Sequence, residues 1–160
     1  MAKSQPPTSA APCPCGRLQG QGAKARPVPY AACCGRYLDH WDTQPAPDAE
    51  HLMRSRYTAF VRERADYLLA TWHASRRPAQ LGFEPGAQWL GLQVRGHRVQ
   101  DADHAEVEFV ARHRVGGRAV RLHETSRFVR EGGRWFYVDG DLDGGSPGDG
   151  SGTHTIPEFE

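Results

Sequence analysis

All four cysteines fall between residues 13 and 34, as the pairs Cys13-Pro14-Cys15 and Cys33-Cys34. Thiols grouped in this way and absent elsewhere are better explained by a shared ligand than by packing. A soft divalent metal, zinc first, fits them, because four thiolates complete a closed tetrahedral shell with no position for substrate or water. The role expected of Zn2+ is therefore structural. Both pairs are tighter than the usual two to four residues between paired zinc ligands, and disulfides are the competing use. Adjacent cysteines bridge only through a strained ring, however, and the other pairings suit an oxidising compartment. The N-terminal stretch, Met1-Ala2-Lys3-Ser4-Gln5-Pro6-Pro7, has no apolar core of the kind a secretory signal needs, so a cytoplasmic location is expected. Of the histidines, only His40 lies close enough in sequence to stand in as a ligand.

Glu124 is the second residue that could do chemistry. Between Val120 and Arg130, Leu122, Glu124, Ser126 and Phe128 share one strand face. If Leu122 and Phe128 enter the core, Glu124 and Ser126 enter with them. A buried carboxylate then needs Arg, Tyr or Trp donors, a water-holding cavity or a raised pKa. Arg54, Arg56 and Tyr57, on the helix expected upstream, are candidate donors. Two readings stay open. In one, Arg54, Tyr57, Trp72, His73, Glu124 and Ser126 line a small-molecule pocket, with Glu124 as general base in its enzymatic form. In the other, Glu124 is a structural tie between layers. The chain carries no phosphate-binding Gly-x-x-x-x-Gly-Lys loop, no Gly-x-Ser-x-Gly elbow and no His-Glu-x-x-His, so no catalytic residue is assigned.

The elements that must position these residues follow from pattern. Asp48 precedes a stretch in which Met53, Tyr57, Phe60 and Val61 form one helical stripe, and a shorter helix fits 66–72. Beyond Pro85-Gly86 the period becomes two: Leu90, Leu92 and Val94 alternate, as do Val107, Phe109 and Ala111. Gly116-Gly117 and Gly132-Gly133 mark hairpin turns. Two helices and about four antiparallel strands predict an α+β fold, a curved sheet with helices packed on one face. The expected organisation is a disordered leader at 1–12, a zinc knuckle at 13–36, a linker at 37–47, the α+β domain at 48–140 and a disordered acidic tail at 141–160.

Composition bounds the partners. The 160 residues carry a net charge of +1, distributed as +3 over 1–47, +4 over 48–138 and −6 over 139–160. No basic segment is dense enough to predict nucleic-acid binding, which ranks last among the expected partners. No apolar run reaches the ~18–20 residues of a membrane span.

Cys13-Pro14-Cys15-Gly16 followed by Tyr30-Ala31-Ala32-Cys33-Cys34-Gly35 resembles the SEC-C zinc motif, found at the C-terminus of the SecA translocation ATPase. The stretches His51 to Val61, Ala65 to His73, Ser126 to Phe128 and Trp135 to Gly140 resemble the YchJ family. This resemblance implies a SEC-C knuckle followed by a cone-shaped, nuclear-transport-factor-2-like domain, with Cys13, Cys15, Cys33 and Cys34 on zinc. It implies no established activity. The chain departs from the motif in one loop: seventeen residues, Gly16 to Ala32, replace about eight, which costs about 0.7 kcal/mol in closure entropy. Zinc binding by small modules, at roughly 10–16 kcal/mol, absorbs that easily. Some family members also carry a C-terminal cysteine cluster, which is missing from this chain. The leading expectation is a cytoplasmic zinc-binding adaptor that presents its knuckle to a protein partner. A small-molecule-binding protein or enzyme using the pocket is the alternative.

Overall fold

The computed structural model describes residues 11–83 and 85–142. Most of the expected leader and of the acidic tail therefore lies outside the described residues. Two short strands, β1 (Leu18–Gln19) and β2 (Arg26–Pro27), form a small hairpin, and helix α1 (Gly35–Leu38) follows. Helices α2 (Ala49–Val61) and α3 (Ala65–Ala70) come next. A four-stranded antiparallel sheet completes the fold, β3 (Gln88–Asp101), β4 (His104–Val115), β5 (Arg118–Glu131) and β6 (Arg134–Leu142), in sequential order.

Local chemistry sets the boundaries. Asp48 caps α2 by accepting from His51 N at 2.8 Å, satisfying one of the donors a helix start leaves free. The β4–β5 and β5–β6 turns place Gly116, Gly117, Gly132 and Gly133 at φ between +59° and +82°. Two successive positive φ values match the right-handed twist of the flanking strands, and glycine takes them without a Cβ penalty.

Bulges curve the sheet. In β3 the pairing with β4 slips between Trp89 and Gly91, between Val94 and Gly96, and between Val99 and Asp101. The first slip corrects one sequence expectation. Leu90 is the extra residue, 44% exposed, while Trp89, Leu92 and Val94 pack on the core. In β6 an extra residue, Val138, stands opposite the Arg127–Phe128 step, so Tyr137 pairs with Phe128 and Gly140 with Ser126. Residues three apart thus come to face the same side.

Helix α2 sits between layers. The expected stripe of Met53, Tyr57 and Phe60 is buried, but so are Leu52, Ser55, Arg56, Thr58 and Ala59. One side packs on the sheet and others meet α3 and the cysteine-bearing segment, so polar residues occupy buried positions and are hydrogen-bonded there. Ser55 Oγ donates to Leu52 O at 2.9 Å and lies 2.7 Å from Tyr67 Oη. One apolar cluster runs from Cys13 through Tyr37, Leu38 and Leu52 to Phe128 and Tyr137. The 37–47 segment is docked as well: Arg134 donates to Trp41 O at 2.8 Å and to Asp42 O at 2.7 Å. Among the described residues no helix is long and apolar enough to cross a membrane.

Candidate metal centre and the buried carboxylate

The two cysteine pairs are brought together by backbone that the sequence shapes closely. Cys13 N donates to Val28 O at 2.9 Å, anchoring the first pair beside the β1–β2 hairpin that the long insertion forms. The second pair follows a 3-10 turn at Tyr30–Ala32, with Cys33 N donating to Tyr30 O at 2.9 Å, and leads into α1. A glycine must come next. A Cβ at Gly35 would lie 2.6 Å from the Tyr30 ring, closer than packed carbons approach.

The four sulfurs lie within 4.8 Å of one another, and Cys15 Sγ and Cys33 Sγ are 3.6 Å apart. All four cysteines are buried and all are free thiols. Four thiolates at about 2.3 Å from a tetrahedral ion would stand about 3.8 Å from one another, so the donor set and its dimensions fit a metal. The electrostatics agree. Hydrogen bonds from the thiols of Cys15, Cys33 and Cys34 hold Cys13 far below the ordinary thiol range, while Cys33 and Cys34 are pushed above it, chiefly by Cys13. The four sulfurs cannot all ionise at this spacing unless a cation sits among them. His40 is exposed and stands outside the cluster.

Helix α2 supplies the surroundings of the cluster. Arg54 Nη1 donates to Cys15 O at 3.2 Å and reaches Cys15 Sγ at 3.9 Å, while its Nε donates to Glu50 at 3.0 Å. Thr58 Oγ1 lies 3.7 Å from Cys13 Sγ. Arg17 Nη1 donates to His51 Nε2 at 2.6 Å, which leaves Nδ1 of that ring to donate to Asp48 at 2.8 Å. A positive side chain beside a thiolate cluster offsets the charge left over when a divalent ion meets four anions. Neither Arg54 nor Thr58 was read as part of the cysteine site from sequence. No local signal in the sequence marked them, since α2 carries polar residues at many other positions.

On the opposite side of α2, Glu124 is 1% exposed. Its Oε2 accepts from Ser126 Oγ at 2.7 Å and from Tyr137 Oη at 3.3 Å, and its Oε1 has no hydrogen-bond partner. Burial pushes the carboxyl up to about 7, against the hydrogen bonds from Ser126 and Tyr137 and the nearby Arg56 charge. Gly140 makes the seat. A Cβ there would overlap the Glu124 carboxyl, so the close approach of β6 to this side chain requires glycine. Tyr137 is positioned by the segment that follows α3, since its N donates to Thr71 O at 2.8 Å and its O accepts from His73 N at 2.7 Å.

Of the residues predicted to line a pocket, Tyr57, Glu124 and Ser126 lie together at one recess between α2 and the sheet. Arg54 points to the cysteines instead. Trp72 stands behind Tyr137, ring centroids 5.4 Å apart, and His73 faces away, its Nε2 2.9 Å from Glu131. Arg56 lines the recess, with Nη1 donating to Leu68 O at 2.9 Å and Thr71 Oγ1 at 2.8 Å. Trp89, Tyr137 and Gly140 were missed from sequence because both bulges shift the alternation that would have placed them.

Comparison with known proteins places this arrangement. The family model described as "YchJ, middle NTF2-like domain" matches residues 48–140. A UPF0225 protein from Polaromonas naphthalenivorans is 70% identical over 133 residues, spanning 81% of this chain and 96% of that one. Another, from Methylibium petroleiphilum, is 58% identical over 133 residues, spanning 82% and 89%. Among solved structures, a SEC-C motif-containing protein from Psychrobacter arcticus is similar with a TM-score of 0.66 at 29% identity, covering 82% of each chain. A SEC-C motif-containing protein from Rhodopseudomonas palustris gives a TM-score of 0.65 at 32% identity, covering 81% of this chain and 97% of that one. With four clustered cysteines set against an α+β body of this kind, the chain belongs to the YchJ (UPF0225) family of SEC-C motif proteins.

Proposed function

We propose that this protein is a cytoplasmic zinc-binding adaptor. Cys13, Cys15, Cys33 and Cys34 hold one Zn2+ as a closed structural centre, and the segment so fixed is the surface a protein partner meets. The observation that carries the reading is four buried free thiols with sulfurs within 4.8 Å. Bound zinc would supply rigidity and neutralise the thiolates, with no position left for substrate. Cys13 and Cys15 hold the first strand of the β1–β2 hairpin against α2, and Cys33 and Cys34 fix the start of α1.

Support for the adaptor role comes from what this segment exposes. Leu18 is 58% exposed at the hairpin, and Lys24 and Arg26 are exposed beside it. An exposed leucine rimmed by cations is a fitting contact for an apolar, acidic protein surface. Removing residues 1–47 would strip Tyr37 and Leu38 from the common core, so surface substitutions make the cleaner test. Leu18→Asp with Arg26→Glu is expected to keep zinc and thermal stability while abolishing capture of the partner that the unaltered chain retains. Unchanged capture would refute the adaptor role and leave the metal site standing.

A further inference from the structure

The recess at Glu124 contains a buried polar atom that nothing satisfies. Oε2 accepts from Ser126 and Tyr137 and rests against Gly140, where a Cβ would overlap it. Oε1 is left bare. Glu124 borders a recess to which Met53, Tyr57, Phe60, Trp89, Phe109 and Leu122 give aromatic and aliphatic walls. Tyr57 and Phe60 stand 5.4 and 6.0 Å from Trp89 between ring centroids, an arrangement whose faces and edges suit a flat ring. An apolar space converging on one unspent acceptor is the usual build of a small-molecule site.

Charge narrows the class of ligand. Arg56 lines the same recess, its guanidinium 4.5 Å from the centroid of the Tyr137 ring that hydrogen-bonds Glu124. A cationic ligand would meet Arg56 and an anionic one would meet Glu124, whereas a neutral ligand meets neither penalty. We infer that the recess binds a small neutral molecule, flat and mainly apolar, that presents one N–H or O–H donor to Glu124 Oε1. This site is separate from the cysteine cluster and stands whether or not zinc occupies that cluster.

Pyrrole and furan form a matched pair of probes, equal in shape and differing in whether the ring carries an N–H donor. Binding to the full chain is read from the Trp89 indole resonance at about pH 8.5, where the carboxyl is ionised. Pyrrole is expected to bind about ten-fold tighter than furan, as befits a hydrogen bond to a buried charged acceptor. Glu124→Gln keeps the shape but gives its carbonyl to Ser126 and Tyr137, turning an NH2 group toward the recess. In that variant the preference for pyrrole is expected to vanish while furan binds as before. Equal binding of the two rings to the unaltered chain, no binding of either up to about 10 mM, or a preference that survives Glu124→Gln would overturn the inference.

Discussion

At the scale of single residues, Glu124 is a fully buried carboxyl held under electrostatic tension. Its carboxyl is pushed up to about 7 by burial, faced by Arg56 from α2 and by Tyr137 and Asp141 from β6. For an acid whose folded pKa is raised, the protonated form suits the fold. Its stabilising contribution is complete below the unfolded value near 4.5 and disappears as pH rises through about 7. Glu124→Gln is therefore expected to flatten the pH dependence of stability between about pH 4.5 and 7 and to be the more stable form at pH 8, by on the order of 3 kcal/mol. Urea titrations across that range measure it. A variant as pH-dependent as the parent would show that the carboxyl is already well solvated. Gly140→Ala, which intrudes on the same carboxyl, should cost about 1–3 kcal/mol in the same assay. The burial of Glu124 and Ser126 was legible because Leu122 and Phe128 share their parity. The donor was not, because the extra residue at Val138 brings Tyr137 and Gly140 to the same face and no local pattern announces a bulge.

At the scale of elements, α2 explains why a helix of modest hydrophobicity is buried almost all round. The sequence stripe predicts one face, and Met53, Tyr57 and Phe60 occupy it. The second buried face is polar, made by Ser55, Arg56 and Thr58, and it is tolerated because each polar group has a partner. Ser55→Ala removes the partner of the Tyr67 hydroxyl and is expected to cost about 1–3 kcal/mol, although an exposed serine would cost almost nothing. Asp48→Ala, which removes the helix cap, should cost about 1 kcal/mol. A neutral Ser55→Ala in chemical denaturation would mean that the second face of α2 is looser than its hydrogen bonds indicate. The strands were read well where glycine pairs fix the hairpins. They were misread at Leu90, where a bulge turns a leucine outward.

At the scale of the whole molecule, the cysteine segment and the sheet share one core through α2. Arg54 bonds Cys15, Cys13 lies against Thr58, and Arg134 of β6 holds the carbonyls of Trp41 and Asp42. The sequence marks the cysteines, but its Pro-rich 41–47 stretch reads as a spacer, because the arginine that fastens it lies about ninety residues away. Local composition holds no record of such a partner. If the cysteines hold zinc as proposed, chelation should loosen α2 and the sheet together, visible as faster amide exchange in Leu52 to Thr58. The most direct measurement is native mass spectrometry of the full chain prepared without chelators. The account predicts a mass higher than the polypeptide by one zinc less the protons its thiols release. A metal-free mass, or one lowered by the hydrogens lost to disulfides, would contradict it.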